Sequence, residues 1–320
     1  MLAECPTSLS VQLSTTLSTQ DLELFFHYTT VTSYTMPCEI YEEDVWYLLL
    51  PKYAFAHMFV ANAVLSLAAS HLCDLHQYDS DKVTYYRSLA LHHQRLTRTN
   101  LKAIPTRFEA LEDLEVPLHC VLLITSMVAL HGVSIPAAQR TNCLSTLLAS
   151  LNTARTLKDD IENMVPRFSI SPLPGILFSY NKDSPHSHLS HSSIRSDLYL
   201  SLQVYERFIE GEEDPTRRTG KILKDCLDVV HSFNIHQQNA RMVDILFDPL
   251  VWSDRVLKAT TSKYPPALVL LGLYGILLQT LRPSWWFEGA GEIFIRTILG
   301  EKLPPEWQML MTQACKNIRI

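Results

Sequence analysis

Three histidines stand in apolar stretches of the sequence, where an imidazole could do chemistry away from bulk water. His57 and His71 lie in the uncharged run 54–73, and His131 ends a second apolar run. An imidazole titrates near neutral pH, so it can act as a general acid or base or hydrogen-bond a ligand. A buried histidine is also commonly a core residue that bonds a neighbour. We take His57 and His131 as candidate proton-transfer groups, and the Tyr274 hydroxyl as a candidate donor to a carbonyl.

A polar stripe crosses the same uncharged run. Asn62, Ser66 and Ser70 recur every four residues, so they share one face of a helix. Such a stripe faces either a neighbouring backbone or a cavity. Apolar walls with few polar groups are what a hydrophobic ligand requires. The candidate ligand-binding residues are Phe55, Phe59, Asn62, Ser66, Met127, Gly275, Trp285 and Trp286. The alternative, in which the polar groups bond one another in a dry core, stays open.

The apolar stretch 265–281 predicts a central buried helix. Apolar residues cover its whole circumference, which is typical of a helix inside a large core. Its apolar run of about 15 residues is short of the roughly 20 that cross a bilayer, so we predict no membrane span. Gly272 and Gly275 mark positions where another helix or a ligand comes close. Leu271 and Leu277 are predicted to be fully buried.

These elements together predict where a pocket lies. We expect it between helices Tyr53–Leu75 and Leu118–His131 and the central helix, with the Trp285-Trp286 turn closing one end. All three helices are too apolar to face water, yet they carry polar side chains. Each such group costs about 1–3 kcal/mol if it is buried without a partner. A cavity with a ligand or water relieves that cost.

Metal and cofactor chemistry has no support in the motifs. The sequence contains no G-x-G-x-x-G, P-loop, G-x-S-x-G or H-E-x-x-H pattern. His186, His188 and His191 lie in a Ser/Pro-rich segment typical of a solvated loop. The seven cysteines show no short C-x-x-C spacing, so we interpret them as reduced core residues. We predict no metal and no cofactor.

Composition and periodicity predict an all-α fold, a single large multi-helix domain with a buried hydrophobic pocket. The 320 residues are 47% hydrophobic, and no run alternates as a strand does. Residues 1–17 are predicted to be disordered, and 18–320 to form the helical domain with a flexible loop at about 165–193. Ser18 and Asp21 predict a capping box at the first helix. The net charge of -6 argues against direct nucleic-acid binding, and no signal peptide is evident, so a cytoplasmic location is expected.

Two blocks of the sequence resemble the effector domain of fungal zinc-cluster transcription factors, with the sterol uptake control proteins as the most similar group. The first block comprises 21–30, Trp46, Pro51, 54–72 and 85–94; the second comprises 266–275, Trp285, Trp286, Gly289, Gly291 and Trp307. The resemblance implies an α-helical domain that holds a hydrophobic ligand, such as a sterol, near its C-terminal half. That family carries six N-terminal cysteines that bind two zinc ions. Here only Cys5 and Cys38 occur in the first seventy residues, so we expect this polypeptide not to bind DNA in the family's way.

Two hypotheses of different classes follow. In the first, the chain is a repurposed stand-alone domain that acts on or binds a hydrophobic fungal secondary metabolite, a terpenoid or polyketide. It would then be a cofactor-free cyclase or isomerase of the Diels-Alderase (pericyclase) kind, which works by holding a flexible polyene in a reactive conformation. In the second, it is a transcriptional regulator or co-regulator that senses a sterol-like ligand, located in the nucleus. We expect a hydrophobic small molecule as its partner and leave a homodimer open.

Overall fold

The computed structural model describes most of the chain. The described residues are 17–36, 45–104, 114–134, 143–164, 192–211, 217–239, 245, 248–250, 252–281, 284–316 and 318. All regular secondary structure in these ranges is helical, which confirms the predicted all-α class. The predicted disordered segment 1–17 and the predicted loop 165–193, with its three histidines, lie almost wholly outside the described residues.

The first half of the chain supplies six α-helices. They are α1 (Thr19–Thr30), α2 (Leu50–Ala56), α3 (Met58–Leu75), α4 (Ser80–Lys102), α5 (Glu115–Ser134) and α6 (Cys143–Met164). A 3₁₀ turn at Thr32–Thr35 and a π-helical turn at Val45–Leu49 come between α1 and α2.

The second half supplies six more described helices. They are α7 (Ser192–Gly211), α8 (Arg217–Asn239), α9 (Asp254–Thr261), α10 (Pro265–Gln279), α11 (Ala290–Leu299) and α12 (Pro305–Ala314). The turn 284–289 joins α10 to α11.

Side-chain caps fix where several helices begin. The Ser18 hydroxyl accepts from the Asp21 N–H at 3.1 Å, and the Asp21 carboxylate accepts from the Ser18 N–H at 2.9 Å. This reciprocal pair confirms the predicted capping box. Asp79 caps α4 in the same manner, because its carboxylate accepts from the Lys82 N–H at 3.1 Å.

The predicted helix Tyr53–Leu75 is wrong in one respect, since it is broken at His57. The backbone there is extended, with φ -136° and ψ 114°. The His57 N–H still closes the last turn of α2 on the Tyr53 carbonyl at 2.8 Å. Its own carbonyl accepts from the Val60 and Ala61 N–H groups and so opens α3. His57 is therefore the junction between two helices.

The central helix α10 is buried as predicted. Every residue from 266 to 278 is buried, with Leu271 0% and Leu277 1% exposed, which confirms both predictions. A Cβ added at Gly275 would lie 2.7 Å from the Phe294 Cβ and 2.8 Å from the Gly291 carbonyl oxygen. Gly275 thus allows the backbones of α10 and α11 to touch.

Among the described helices, α3 and α5 have the length and hydropathy of membrane-crossing segments. In the fold, 78% of the apolar window of α3 and 83% of that of α5 are buried against the rest of the protein. Such burial is typical of core helices in a folded body.

Candidate functional site

A tryptophan in the α10–α11 turn meets two of the histidines of the apolar helices. The Trp285 ring stacks on His71 with centroids 4.5 Å apart and meets His131 edge-on at 5.4 Å. Its indole nitrogen donates to the Thr35 hydroxyl at 3.0 Å. We call Trp285, His71, His131 and Thr35 the Trp285 cluster. It joins α3, α5 and the 3₁₀ turn to the C-terminal half of the fold.

Burial favours the neutral form of the His71 and His27 imidazoles, because it lowers the pKa of each. Burial, with His27 nearby, lowers the pKa of His71 to about 4. The pKa of His27 is lowered too, first by burial and then by His76. The His71 Nδ1 lies 3.0 Å from the Thr32 hydroxyl, and the His131 Nε2 lies 3.9 Å from an Asp74 carboxylate oxygen. Neutral rings of this kind can exchange hydrogen bonds as donor and acceptor.

The polar stripe of α3 bonds to its neighbours. The Ser66 hydroxyl donates to the Ala90 carbonyl of α4 at 2.9 Å, and the Ser70 hydroxyl donates to the Ser66 carbonyl at 3.0 Å. The Asn62 amide nitrogen donates to the Met58 carbonyl, and its oxygen lies 2.9 Å from the His93 Nδ1. Of the two alternatives for this stripe, these contacts favour the neighbouring backbone and side chains.

A buried relay links three helices beside that stripe. His93, which is 3% exposed, contacts Asn62 of α3 through Nδ1 and Asp21 of α1 through Nε2, the latter at 3.3 Å. Burial lowers the pKa of His93, and the nearby Asp21 opposes that shift. The spacing of α4 gave no sign of this role, because His92 and His93 are adjacent and point apart.

The other candidates on α2, α3 and α5 are dispersed. Phe55 is 66% exposed and meets Phe25 edge-on at 5.2 Å. Phe59 and Met127 are buried in the core. His57 is half-buried at the α2–α3 junction, its ring 5.6 Å from that of Phe59. These contacts do not bring His57 to His131.

Tyr274 lies in an aromatic shell formed by Phe233, Trp252 and Phe294, with ring centroids 5.5–6.5 Å away. Its buried hydroxyl has no hydrogen-bond partner among the described residues. Burial and the nearby Asp248 carboxylate raise its pKa well above the usual range. The cavity beside it measures about 10 Å³ and lies between α5, α6 and α10.

The expected pocket is therefore divided. Trp285 meets His131, whereas Tyr274 faces a different, much smaller space. Gly275 lies against α11, one of the two neighbours that the sequence allowed for it, and its place in a ligand wall stays a prediction. Trp286 is fully buried, and its indole nitrogen has no partner among the described residues.

A cleft between α3, α4, α5 and α6 has a volume of about 210 Å³ and is therefore larger than the cavity beside Tyr274. We call it the α3–α6 cleft. Its lining residues are Ser70, Cys73, Arg87, Ala90, Leu91, Gln94, Val128, Ala129, His131, Gly132, Thr146, Ala149, Ser150 and Thr153. His131 belongs both to this cleft and to the Trp285 cluster. Sequence reasoning missed Arg87 and Gln94, although the positions 87, 90, 91 and 94 share one face of a helix.

The described cysteines and carboxylates form no metal-binding group. Among the described residues, no three His, Cys, Asp or Glu side chains converge in a way that could hold an ion. The cysteines at 73, 120, 226 and 315 are buried and form no disulfide, as predicted for core residues.

These features define an all-α fold in which the turn that carries Trp285 packs on the buried His71 and His131 beside the α3–α6 cleft. A stretch of 96 residues, 30% of the chain, is 32% identical to Sterol uptake control protein 2 of Candida albicans (strain SC5314 / ATCC MYA-2876). The match covers 14% of the length of that protein. No protein-family profile matches the chain. The similarity agrees with the group that the sequence motifs resemble.

Proposed function

We propose that this chain is a regulatory effector domain of the kind found in sterol uptake control proteins, and that it responds to a hydrophobic ligand. The observation that carries the proposal is the 96-residue similarity to a protein named for control of sterol uptake. In this role the domain acts in the nucleus, senses a sterol-like molecule and transmits its state through protein partners or a second copy of itself. It makes no direct contact with nucleic acid.

The Trp285 cluster supports a responsive domain. Trp285 donates a hydrogen bond to Thr35 of the 3₁₀ turn, 250 residues earlier in the chain, and stacks on His71 of α3. A ligand that separated these parts would loosen the C-terminal helices from the N-terminal ones. A change of that kind biases a two-state element, as ligand switches do.

The alternative is a cofactor-free cyclase or isomerase for a terpenoid or polyketide, located in the cytoplasm. It draws on the buried Tyr274 hydroxyl, which has no partner among the described residues and could donate to a substrate carbonyl. The cavity of about 10 Å³ beside it is far below the roughly 300–1,000 Å³ of pockets for drug-sized ligands. This hypothesis therefore needs an opening of the core around Tyr274.

A reporter assay tests the proposal. The full chain is fused to a heterologous DNA-binding domain in a yeast host that carries the matching reporter gene. We expect reporter output to change several-fold when sterol synthesis is inhibited. Output that is equal with and without inhibition, at equal protein level, would contradict a sterol-responsive regulatory role.

Matched variants connect the response to the structure. Trp285→Leu removes the contacts with Thr35 and His71, so we expect it to shift the reporter toward one fixed output. Trp307→Leu, which removes a buried tryptophan packed on Tyr205, serves as a control for general loss of stability. An equal response of both variants would mean that Trp285 has no specific part in signalling.

A further inference from the structure

Arg87 places a positive charge in the wall of the α3–α6 cleft without a carboxylate to pair with. Arg87 has no hydrogen bond or ion pair with any described residue. Its guanidinium lies close enough to Cys73 to oppose the burial that raises the pKa of that thiol to about 11. The Arg87 guanidinium therefore lies near the part of the cleft that Cys73 lines. An unpaired arginine at a cleft is a ready partner for a carboxylate or phosphate group.

Gln94 adds an unused donor to the same wall. It stands two turns beyond Arg87 on α4, and its amide nitrogen is buried with no acceptor among the described residues. A buried donor that lacks an acceptor costs free energy, and a ligand oxygen in the cleft would supply that acceptor.

The lining fixes the charge of a suitable ligand. Among the described residues that line the cleft there is no Asp or Glu, so Arg87 is the one permanently charged side chain of that described lining. The Asp74 carboxylate, next in sequence to the lining residue Cys73, lies 3.9 Å from the His131 Nε2 and is not itself among the lining residues. One unbalanced positive charge matches a single negative charge on the ligand.

The volume and the apolar lining of the cleft limit the size and the chemical character of its ligand. The cleft of about 210 Å³ corresponds to roughly seven water molecules at about 30 Å³ each. Val128 and Ala129 of α5 add apolar surface to the lining, and Leu91 adds more beside Arg87 and Gln94 on α4. A ligand with a short apolar chain fits this surface, and a sterol is too large for it.

We propose that the α3–α6 cleft binds a small monocarboxylate with a short apolar chain. Its carboxylate is held by Arg87 and Gln94, and its chain packs on Val128 and Ala129. This is a second ligand site, which stands or falls independently of the proposed regulatory function.

Calorimetry on the purified full chain tests the site with sodium octanoate as the probe. We expect one octanoate per chain with a Kd of about 1 mM or tighter, a plausible affinity for a ligand of this size. Octanamide has the same length without the charge, and we expect it to bind about tenfold more weakly. Failure of octanoate to bind, or equal binding of octanamide, would overturn the proposal.

Three variants assign the carboxylate to Arg87. Arg87→Gln should weaken octanoate binding about tenfold or more while leaving octanamide binding unchanged, which also shows that the variant is folded. Arg87→Lys should retain part of the preference for octanoate. Arg95→Gln removes an equal charge from an exposed position of the same helix and should change neither affinity. An Arg87→Gln protein that binds octanoate as the wild type does would show that the carboxylate sits elsewhere.

Discussion

The Trp285 ring lies on the His71 ring at a centroid separation of 4.5 Å and an interplanar angle of 26°. The stack covers a histidine of α3 with a residue of the α10–α11 turn, so it ties the second half of the fold to the first. The Trp285 indole nitrogen reaches beyond the stack to the Thr35 hydroxyl at 3.0 Å. Two different interactions of one side chain therefore close the same junction.

We predict that Trp285→Leu lowers the free energy of unfolding by about 1–3 kcal/mol, because it removes aromatic packing and a hydrogen bond. Trp285→Phe keeps a ring over His71 and loses only the N–H, so we expect a loss of about 0.5–1.5 kcal/mol. Urea unfolding followed by circular dichroism measures both. Equal losses in the two variants would mean that the stack with His71 contributes nothing beyond the hydrogen bond.

Stability should fall as the pH drops from about 6.5 toward 4. His71 has its pKa lowered to about 4 by burial, whereas an unfolded histidine titrates near 6.5, so the unfolded chain binds the proton first. Stability is then fully present above pH 6.5 and declines below it. We expect a loss of about 1–2 kcal/mol between pH 7 and pH 5 from His71. His27, His57 and His93 add to it, because burial lowers the pKa of each.

His71→Gln separates this contribution from the rest. Glutamine does not titrate and can still bond the Thr32 hydroxyl, so the variant should show a shallower decline in stability across the same pH range. Urea unfolding at pH 7 and pH 5 gives the two slopes. A variant whose slope equals that of the wild type would locate the pH dependence in other groups.

Gly275→Ala should destabilise the fold, because the added Cβ would lie 2.7 Å from the Phe294 Cβ and 2.8 Å from the Gly291 carbonyl oxygen. Backbone cannot move aside cheaply, and overpacking of this kind costs about 1–3 kcal/mol. Gly132→Ala is the matched control, since a Cβ at Gly132 meets nothing within 4 Å. In a helix it should be neutral or stabilise by about 0.5–1 kcal/mol. Thermal unfolding of both variants compares the two positions, and an undiminished melting temperature for Gly275→Ala would contradict the close approach.

Some of this architecture follows from the sequence alone. The all-round apolar character of 265–281 predicted a buried helix, and the Ser18–Asp21 spacing predicted a capping box, because both are local patterns with one physical explanation. The sequence placed the Trp285-Trp286 turn at one end of the apolar helices that carry His71 and His131, but it did not predict the ring contacts between Trp285 and these histidines.

Other features depend on which helices pack against each other, and no local pattern encodes that. The break at His57 has no proline or glycine to announce it. The polar stripe that contains Asn62 and Ser66 could face a neighbouring backbone or a cavity. Only the position of α4 shows that these side chains bond a neighbouring helix. Gly275 could leave room for a ligand or for a neighbouring helix, and in the fold α11 packs against it. The place of Arg87 in the wall of a cleft depends on four helices that meet around it.

Two buried tyrosines differ in what their hydroxyls touch. The Tyr205 hydroxyl donates to the Pro266 carbonyl at 2.8 Å. The Tyr274 hydroxyl is buried to a similar degree and has no partner among the described residues. A hydroxyl buried without a partner loses its bonds to water and gains none in return, which costs about 1–3 kcal/mol. The two residues therefore form a pair in which the same substitution should have opposite effects.

We predict that Tyr274→Phe leaves the free energy of unfolding unchanged or raises it by up to about 1 kcal/mol, because it removes the unpaired hydroxyl and keeps the ring among Phe233, Trp252 and Phe294. Tyr205→Phe should lower it by about 0.5–1.5 kcal/mol, since a made hydrogen bond is lost. Urea unfolding under identical conditions measures both. The result also bears on function, because a hydroxyl kept at a cost to stability is typical of a group that meets a ligand. If Tyr274→Phe instead destabilises the fold as much as Tyr205→Phe does, the Tyr274 hydroxyl has a structural partner outside the described residues, and the case for a chemical role disappears.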